Sequence, residues 1–233
     1  ICGKDASLAL DMMNTAKESM VPPFEISVFP DPAGSFTTAA AMVACTEKTL
    51  KHKFNTNLKD KNIIIYGGKG IVGGISAIMC AKEGSKCTIV GYDGITNVKK
   101  KAEEYKSRFG VDIIPADGTT DELNSSYLPQ ADIIFCAARA GTQVISEEQL
   151  KLAKNTKVLA DVNAVPPAGL GGVNLKDDDA EHPCGGLSIG PLTSGDIKVK
   201  TQYRMFEKMC TANSPLYLNF EEALTTAREI LKL

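Results

Sequence analysis

Apolar residues near the start of the chain recur at the spacing of one face of an α-helix. The residues on this face are Ala9, Met12, Met13, Ala16 and Met20. Asp5 can cap the start of the helix, and the two prolines at 22–23 end it. The sequence then predicts a short strand over 25–29, a loop rich in Pro and Gly, and a second helix from about Thr37 to His52.

A different pattern begins at Asn62, where short apolar runs alternate with helical segments. The runs that predict strands are 62–66, 86–91, 111–116, 131–137 and 157–162. Strands that alternate with helices are typical of a parallel sheet built from βαβ units. The sequence therefore predicts an α/β fold, a Rossmann-type doubly wound parallel sheet with a second, smaller α/β lobe.

The last helix predicted by the sequence has an apolar stripe that must pack against another part of the chain. Asn219 and Glu222 have the spacing of a capping box at its start. The simplest arrangement returns this helix to the N-terminal segment. Residues 1–55 plus 205–233 would then form the smaller lobe, and residues 56–204 would form the domain that contains the parallel sheet.

Charge and composition exclude several classes of protein. Lys and Arg number 26 against 28 Asp and Glu, for a formal net charge of −2, so the chain lacks the basic field that nucleic-acid binding requires. No apolar run approaches the ~18 residues of a membrane span, and no secretory signal is visible, so we expect a soluble, cytoplasmic protein without a membrane partner. Residues 1–3 resemble the end of a strand, and we expect the chain to be a fragment or to have been renumbered.

Cysteine and histidine usage gives no sign of a metal site. The 7 cysteines include no C-x-x-C pair, and Cys80 and Cys136 lie in apolar segments where a thiol packs as a small hydrophobic group. His182 has no second ligand at usable spacing. We therefore expect buried thiols and no bound metal.

The strongest motif is a G-x-G-x-x-G sequence that follows the first predicted strand of the sheet and precedes a helix. In a dinucleotide-binding fold these glycines allow a tight turn, close approach to a pyrophosphate, and close packing of helix and strand. A phosphate loop of the Walker type is disfavoured because Lys69 is followed by glycine. A glycine-rich turn without a ligand is the alternative. The candidate cofactor-binding residues here are Gly68, Lys69, Gly70, Ile71, Val72 and Gly73.

Residues after the second and fourth strands are further candidates for cofactor contact. Asp93 lies 20 positions after Gly73, where an acidic side chain binds the ribose hydroxyls of NAD and repels the 2′-phosphate of NADP. Tyr92 stands beside it, and no Arg is present, so the sequence favours NAD. The lysines at 99–101 could still approach a 2′-phosphate, or form a solvated helix face. Ala137 and Ala138 supply small side chains where a cofactor ribose would approach the backbone.

The loop after the fifth strand contains Asn163 and two consecutive prolines, Pro166 and Pro167. A stiff loop at the carboxyl end of a strand can hold a nicotinamide or a substrate ring in place. It can equally be a turn that proline stiffens, and the spacing alone does not separate these interpretations.

Four segments, in this order, resemble the methylene-tetrahydromethanopterin dehydrogenase family over nearly the whole chain. The segments are residues 31–41, the glycine-rich turn, residues 161–172, and Ser188-Ile189-Gly190 followed by Lys198-Val199-Lys200. The resemblance implies a two-lobed fold similar to bacterial methylene-tetrahydrofolate dehydrogenases, a homo-oligomer, and NAD or NADP as cofactor. The strictly NADP-dependent members carry Gly-Arg after the second strand, whereas this chain has Gly91-Tyr92.

The resemblance also implies a reaction, in which hydride leaves the carbon that bridges N5 and N10 of a reduced pterin and is transferred to NAD(P). Asp31, Thr37, Thr38 and Pro166 are then candidate pterin-binding residues, with the smaller lobe as the pterin lobe. Lys198 and Asn163 are the candidate catalytic residues, and Asn163 would also contact the cofactor. Lys198 lies in a strand-like run and could instead face solvent. The alternatives are a methylene-tetrahydrofolate dehydrogenase and a dinucleotide-binding sensor without catalysis.

Overall fold

The structure is a computed structural model that describes all residues, 1–233. Its helices are α1 (Ala6–Ser19), α2 (Ser35–Phe54), α3 (Ile71–Lys82), α4 (Ile95–Phe109), α5 (Asp121–Ser126), α6 (Glu147–Leu150), α7 (Pro191–Thr211) and α8 (Phe220–Leu231). Its strands are β1 (Asn62–Tyr66), β2 (Lys86–Gly91), β3 (Ile114–Asp117), β4 (Ile133–Cys136), β5 (Val158–Asp161), β6 (Asp178–Glu181) and β7 (Leu187–Ile189). None of the helices has the length and apolar character needed to span a bilayer.

The strands form one sheet in the order β3-β2-β1-β4-β5-β7-β6, in which only β6 is antiparallel to its neighbour. The central strand β1 pairs with β2 on one side and β4 on the other, so that Ile63 lies between Cys87 and Ile133. A central strand buried on both faces requires a continuous apolar run, which Ile63–Ile65 supplies. The predicted Rossmann-type α/β fold is confirmed.

Alternate residues of the strands point to two separate hydrophobic clusters on the two faces of the sheet. Ile63 and Ile65 belong to the larger cluster, with residues of α1, α2, α3, α4 and α8. Ile64 and Tyr66 belong to the smaller cluster, which short helices and loops cover. This alternation follows from the two-residue period of a strand and places the long helices on one face.

Two sequence predictions about secondary structure are wrong. Residues 25–29 do not form a strand, and Val28 makes only an isolated bridge with Tyr217, because Pro30 has no N–H group to extend the pairing. The strand-like run at Lys198 lies inside α7, which begins at Pro191 and whose buried residues are spaced three or four residues apart. The buried residues of α7 are Pro191, Ser194, Ile197, Thr201 and Met205.

The last helix, α8, packs against α2 in the N-terminal segment, as the sequence predicts. The Phe220 ring meets Phe36 and Phe109 edge-on, each at a centroid distance of 5.7 Å. The Arg228 guanidinium donates to Glu47 at 2.6 and 2.8 Å and lies 2.8 Å from Glu83. Because one hydrophobic cluster contains residues from both predicted units, the division into a 1–55 plus 205–233 lobe and a 56–204 domain stays a prediction.

Replacing Phe220 by alanine is expected to lower the free energy of unfolding by about 3–5 kcal/mol, because this buried ring packs against α2 and α4. Denaturant unfolding followed by circular dichroism measures this. Phe24→Ala is the matched control, since that ring is 78% exposed. Equal losses for the two variants would contradict the packing described here.

Candidate active site

The turn between β1 and α3 brings three backbone segments so close together that side chains are excluded. A Cβ atom added at Gly68 would lie 2.5 Å from the Cβ of Ile89, and one at Gly73 would lie 2.6 Å from the carbonyl oxygen of Gly67. Gly67 itself has a φ of +77°, and a Cβ there would lie 2.5 Å from the carbonyl oxygen of Ala137. Gly67 is a site residue that the sequence analysis missed, although it directly precedes the G-x-G-x-x-G motif.

Helix α3 presents free N–H groups to this turn. No side chain caps the helix, and the N–H groups of Ile71, Val72 and Gly73 donate no hydrogen bond within the protein. The nearby N–H of Gly70 donates to the carbonyl of Gly67 at 2.9 Å and tightens the turn. Unpaired N–H groups at a helix N-terminus, together with the helix dipole, form a binding site for an anion such as a pyrophosphate.

Lys69 and Asp93 meet beside the turn, just beyond the end of β2. The Lys69 ammonium forms an ion pair with the Asp93 carboxylate, and the side-chain amide of Asn97 donates to the same carboxylate at 3.2 Å. The hydrogen bond from Lys69 lowers the pKa of Asp93, so this carboxylate is ionised at neutral pH. Tyr92 is 84% exposed, and the lysines at 99–101 lie along α4, where Lys101 pairs with Glu104.

A buried carboxylate closes the loop that follows β5. Asp161 is fully buried, and its two oxygens accept hydrogen bonds from the N–H groups of Asn163 at 2.8 Å and Leu170 at 3.0 Å. Burial raises the pKa of Asp161, against the opposing effect of these N–H donors. The carboxylate therefore fastens the beginning and the end of the loop to the same point. Asp161 begins the segment 161–172, but no local sequence pattern indicates its role.

Asn163 holds the interior of this loop. Its side-chain oxygen accepts from the N–H groups of Val165 at 3.0 Å and Gly141 at 3.2 Å, and its NH₂ group donates to the carbonyl of Pro167 at 2.9 Å. Asn163 is buried, whereas residues 164–167, with Pro166 among them, are exposed. The structure thus presents the tip of the loop to solvent on a fixed internal support.

A second group of predicted site residues lies at the start of α2. The Asp31 carboxylate accepts from the backbone N–H groups of Phe36 at 2.9 Å and Thr37 at 3.2 Å, and from the Thr37 hydroxyl at 2.7 Å. The Thr38 hydroxyl donates to the carbonyl of Gly34 at 2.7 Å. These polar groups satisfy one another, so Asp31 and Thr37 form a rigid support at the helix start.

Lys198 joins this second group through a residue that the sequence analysis missed. Its ammonium donates to the side-chain oxygen of Gln202 at 3.2 Å, and the NH₂ group of Gln202 donates to Asp31 at 3.1 Å. The spacing of four residues would have indicated Gln202 if the segment had been read as a helix.

The site residues therefore form two groups. The first contains the glycine-rich turn and the loop after β5, residues 162–170, called here the Asn163 loop. The second, called here the Asp31 group, contains Asp31, Thr37, Thr38, Lys198 and Gln202, and no hydrogen bond or ion pair joins it to the first. Both groups connect to the same edge of the sheet. Helix α7 follows the carboxyl end of β7, which is parallel to β5, and the Asn163 loop follows the carboxyl end of β5. The crevice at the carboxyl ends of parallel strands is where open α/β sheets bind ligands.

The His and Cys residues of the chain do not assemble a metal site. No three His, Cys, Asp or Glu side chains are grouped closely enough to hold a metal ion. Both ring nitrogens of His182 have partners, the carbonyl of Gly171 at 2.9 Å and the N–H of Cys184 at 3.2 Å. His182 therefore serves the packing of the loop around Gly171.

Comparison with known proteins decides the family. Residues 1–33 match the family described as "Methylene-tetrahydromethanopterin dehydrogenase, N-terminal". The NAD(P)-dependent methylenetetrahydromethanopterin dehydrogenase of Methylorubrum extorquens is 47% identical over 231 residues, which cover 99% of this chain and 78% of that protein. The chain belongs to the methylene-tetrahydromethanopterin dehydrogenase family. The bifunctional protein MdtA of the same organism is 27% identical over 228 residues, 98% of this chain and 77% of that protein.

Solved structures of other dehydrogenases share the fold alone. Shikimate 5-dehydrogenase from Listeria monocytogenes has a TM-score of 0.50 at 15% identity, over 98% of this chain and 83% of that chain. An L-alanine dehydrogenase has a TM-score of 0.50 at 12% identity, over 89% of this chain and 59% of that longer chain. The sheet of this family member is thus of the kind that dehydrogenases use.

Replacing Asp161 by asparagine is expected to lower the free energy of unfolding by about 1–3 kcal/mol, because the new NH₂ group would face a backbone N–H and leave a buried donor unpaired. Thermal unfolding measures the loss. Asp112→Asn is the control, since the Asp112 side chain is 83% exposed and pairs only with Lys106. A variant as stable as the wild type would show that Asp161 does not fasten the loop.

Proposed function

We propose that this chain is an NAD(P)-dependent dehydrogenase that oxidises methylene-tetrahydromethanopterin to the methenyl form in one-carbon metabolism. The observation that carries the proposal is 47% identity, over 99% of the chain, to an enzyme with this name. The geometry of the glycine-rich turn agrees with it.

The residues at the turn suit a pyridine dinucleotide. The free N–H groups at the start of α3 can bind the pyrophosphate, and Gly70 leaves the backbone open to it. Asp93 can accept hydrogen bonds from the ribose hydroxyls, and Ala137 and Ala138 can border the next ribose at the end of β4. When bound, NAD(P) supplies a nicotinamide ring that accepts the hydride.

The chemistry demands orientation more than acid–base catalysis. Hydride leaves a carbon between two nitrogens, and those nitrogens share the positive charge that remains, so no proton need be removed. What the protein must do is fix the reacting atoms at about 3–3.5 Å and exclude water. The loop held by Asp161 and Asn163 meets the first need, since its exposed tip, with Pro166, rests on an internal support.

The Asp31 group forms the pterin side of this proposal. Asp31 and Thr37 hold the wall of the site in place, and Thr38 lies beside them, partly exposed. Lys198 takes part in no ion pair, so its ammonium has N–H groups free to donate to an oxygen or ring nitrogen of the pterin.

We also propose that the chain acts in the cytoplasm and that it forms a homo-oligomer, the second of which the resemblance to the family implies. Exposed apolar side chains on α7 support an interface between copies: Val199 is 59% exposed, Tyr203 77% and Phe206 51%.

A steady-state assay that crosses two pterins with two nucleotides tests the function. We expect reduced nicotinamide to form with methylene-tetrahydromethanopterin and either nucleotide, at a higher kcat/KM than with methylene-tetrahydrofolate. Faster turnover of the folate would favour the folate enzyme. Binding of NAD without turnover of either pterin would instead identify a non-catalytic sensor.

The Lys69–Asp93 pair is expected to set the preference between nucleotides. Asp93→Ala removes the acceptor for the ribose hydroxyls and frees the Lys69 ammonium for a 2′-phosphate, so the kcat/KM ratio of NADP to NAD should rise about tenfold. Lys69→Met should lower the same ratio. Asp112→Ala, which breaks a surface pair elsewhere, is the control. An unchanged ratio in Asp93→Ala would remove this residue from cofactor selection.

A further inference from the structure

Gln202 lies between the two charged side chains of the Asp31 group. Its side-chain oxygen is 3.2 Å from the Lys198 ammonium, and its side-chain nitrogen is 3.1 Å from Asp31 Oδ2. The orientation of this amide is determined by its partners, because an ammonium can only donate and a carboxylate can only accept. Exchanging the amide nitrogen and oxygen would place two donors together at Lys198 and two acceptors together at Asp31.

The Asp31 end of this bridge is rigid. The carboxylate is 8% exposed and already accepts three hydrogen bonds from Phe36 and Thr37 at the start of α2. Gln202 therefore connects α7 to a point that α2 fixes, across 171 residues of sequence.

The Lys198 end has no other polar anchor. No carboxylate lies within ion-pair distance of its ammonium, and Gln202 is the single hydrogen-bond partner of that group. The end of the side chain lies over Gly34, where an added Cβ would be 3.3 Å from both Cε and Nζ. Gly34 has a φ of +69°, so glycine suits this position in backbone conformation as well as in space.

We infer that Gln202 is a positioning residue for hydride transfer, which aims the Lys198 ammonium at the pterin by tying it to Asp31. The inference rests on the proposed function and on the proposed role of Lys198. A neutral amide suits this task because it fixes one N–H of the ammonium without neutralising its charge. A carboxylate at the same position would pair with Lys198 and repel Asp31.

A double-mutant cycle tests this inference. Gln202→Met keeps the length of the side chain and removes both hydrogen bonds, and Lys198→Met removes the ammonium. We expect Gln202→Met to lower kcat about tenfold, with the Kd for NAD and the Tm close to wild type. In the double variant the loss should be no greater than in Lys198→Met alone, because Gln202 acts through Lys198.

Two controls separate positioning from packing. Lys200→Met removes an exposed ammonium two residues away, which pairs with Asp196, and should leave kcat unchanged. Gln202→Glu keeps the space filled but pairs with the Lys198 ammonium and neutralises its charge, so kcat should fall in this variant as well.

Three results would overturn the inference. Gln202→Met could retain full kcat while Lys198→Met is impaired, or the two losses could multiply independently. In both cases the proposed dehydrogenase function would stand. The third result is full activity in Lys198→Met, which would remove the role of Lys198 and that of Gln202 together. A wild-type chain inactive with both pterins would instead overturn the proposed function itself.

Discussion

The close contact of backbone segments around the β1–α3 turn is the constraint on which the rest of the site depends. Gly68 packs against Ile89 of β2, and Gly67 packs against Ala137 after β4, at distances that no Cβ atom allows. Because the strands and the helix are this close, the first turn of α3 lies at the carboxyl edge of the sheet. Its unpaired N–H groups are therefore available at the edge where an open α/β sheet binds a dinucleotide.

Around this turn, most polar groups of the candidate site are occupied by other groups of the protein. Asp161 accepts hydrogen bonds from both ends of its loop, and Asn163 uses both ends of its amide inside the loop. At the other group, Asp31 holds the start of α2. Such a site has few free acids or bases, and it suits a reaction whose acceleration comes from holding two rings in a fixed geometry.

Local signals in the sequence predicted the fold well. The strands of the parallel sheet are continuous apolar runs. The G-x-G-x-x-G motif between β1 and α3 is typical of dinucleotide-binding α/β folds. Strand β6 was missed because it is a short, acidic edge strand, Asp178–Glu181, without an apolar pattern. Strand β7, Leu187–Ile189, was missed because it has only three residues. The segment around Lys198 resembles a strand in sequence because Ile and Val alternate with Lys there. In the structure it belongs to helix α7, whose buried face includes Ile197, Thr201 and Met205. The roles of Asp161 and Gln202 depend on contacts between distant parts of the chain, which no local pattern records.

The proposed activity requires that a pyridine dinucleotide lies across the glycine-rich turn with its nicotinamide near the Asn163 loop. A crystal structure of the chain with bound NAD tests it most directly. We expect pyrophosphate oxygens within hydrogen-bond distance of the N–H groups at the start of α3, and a nicotinamide beside the exposed tip of the loop. Nucleotide density at any other place on the chain would rule out this binding mode.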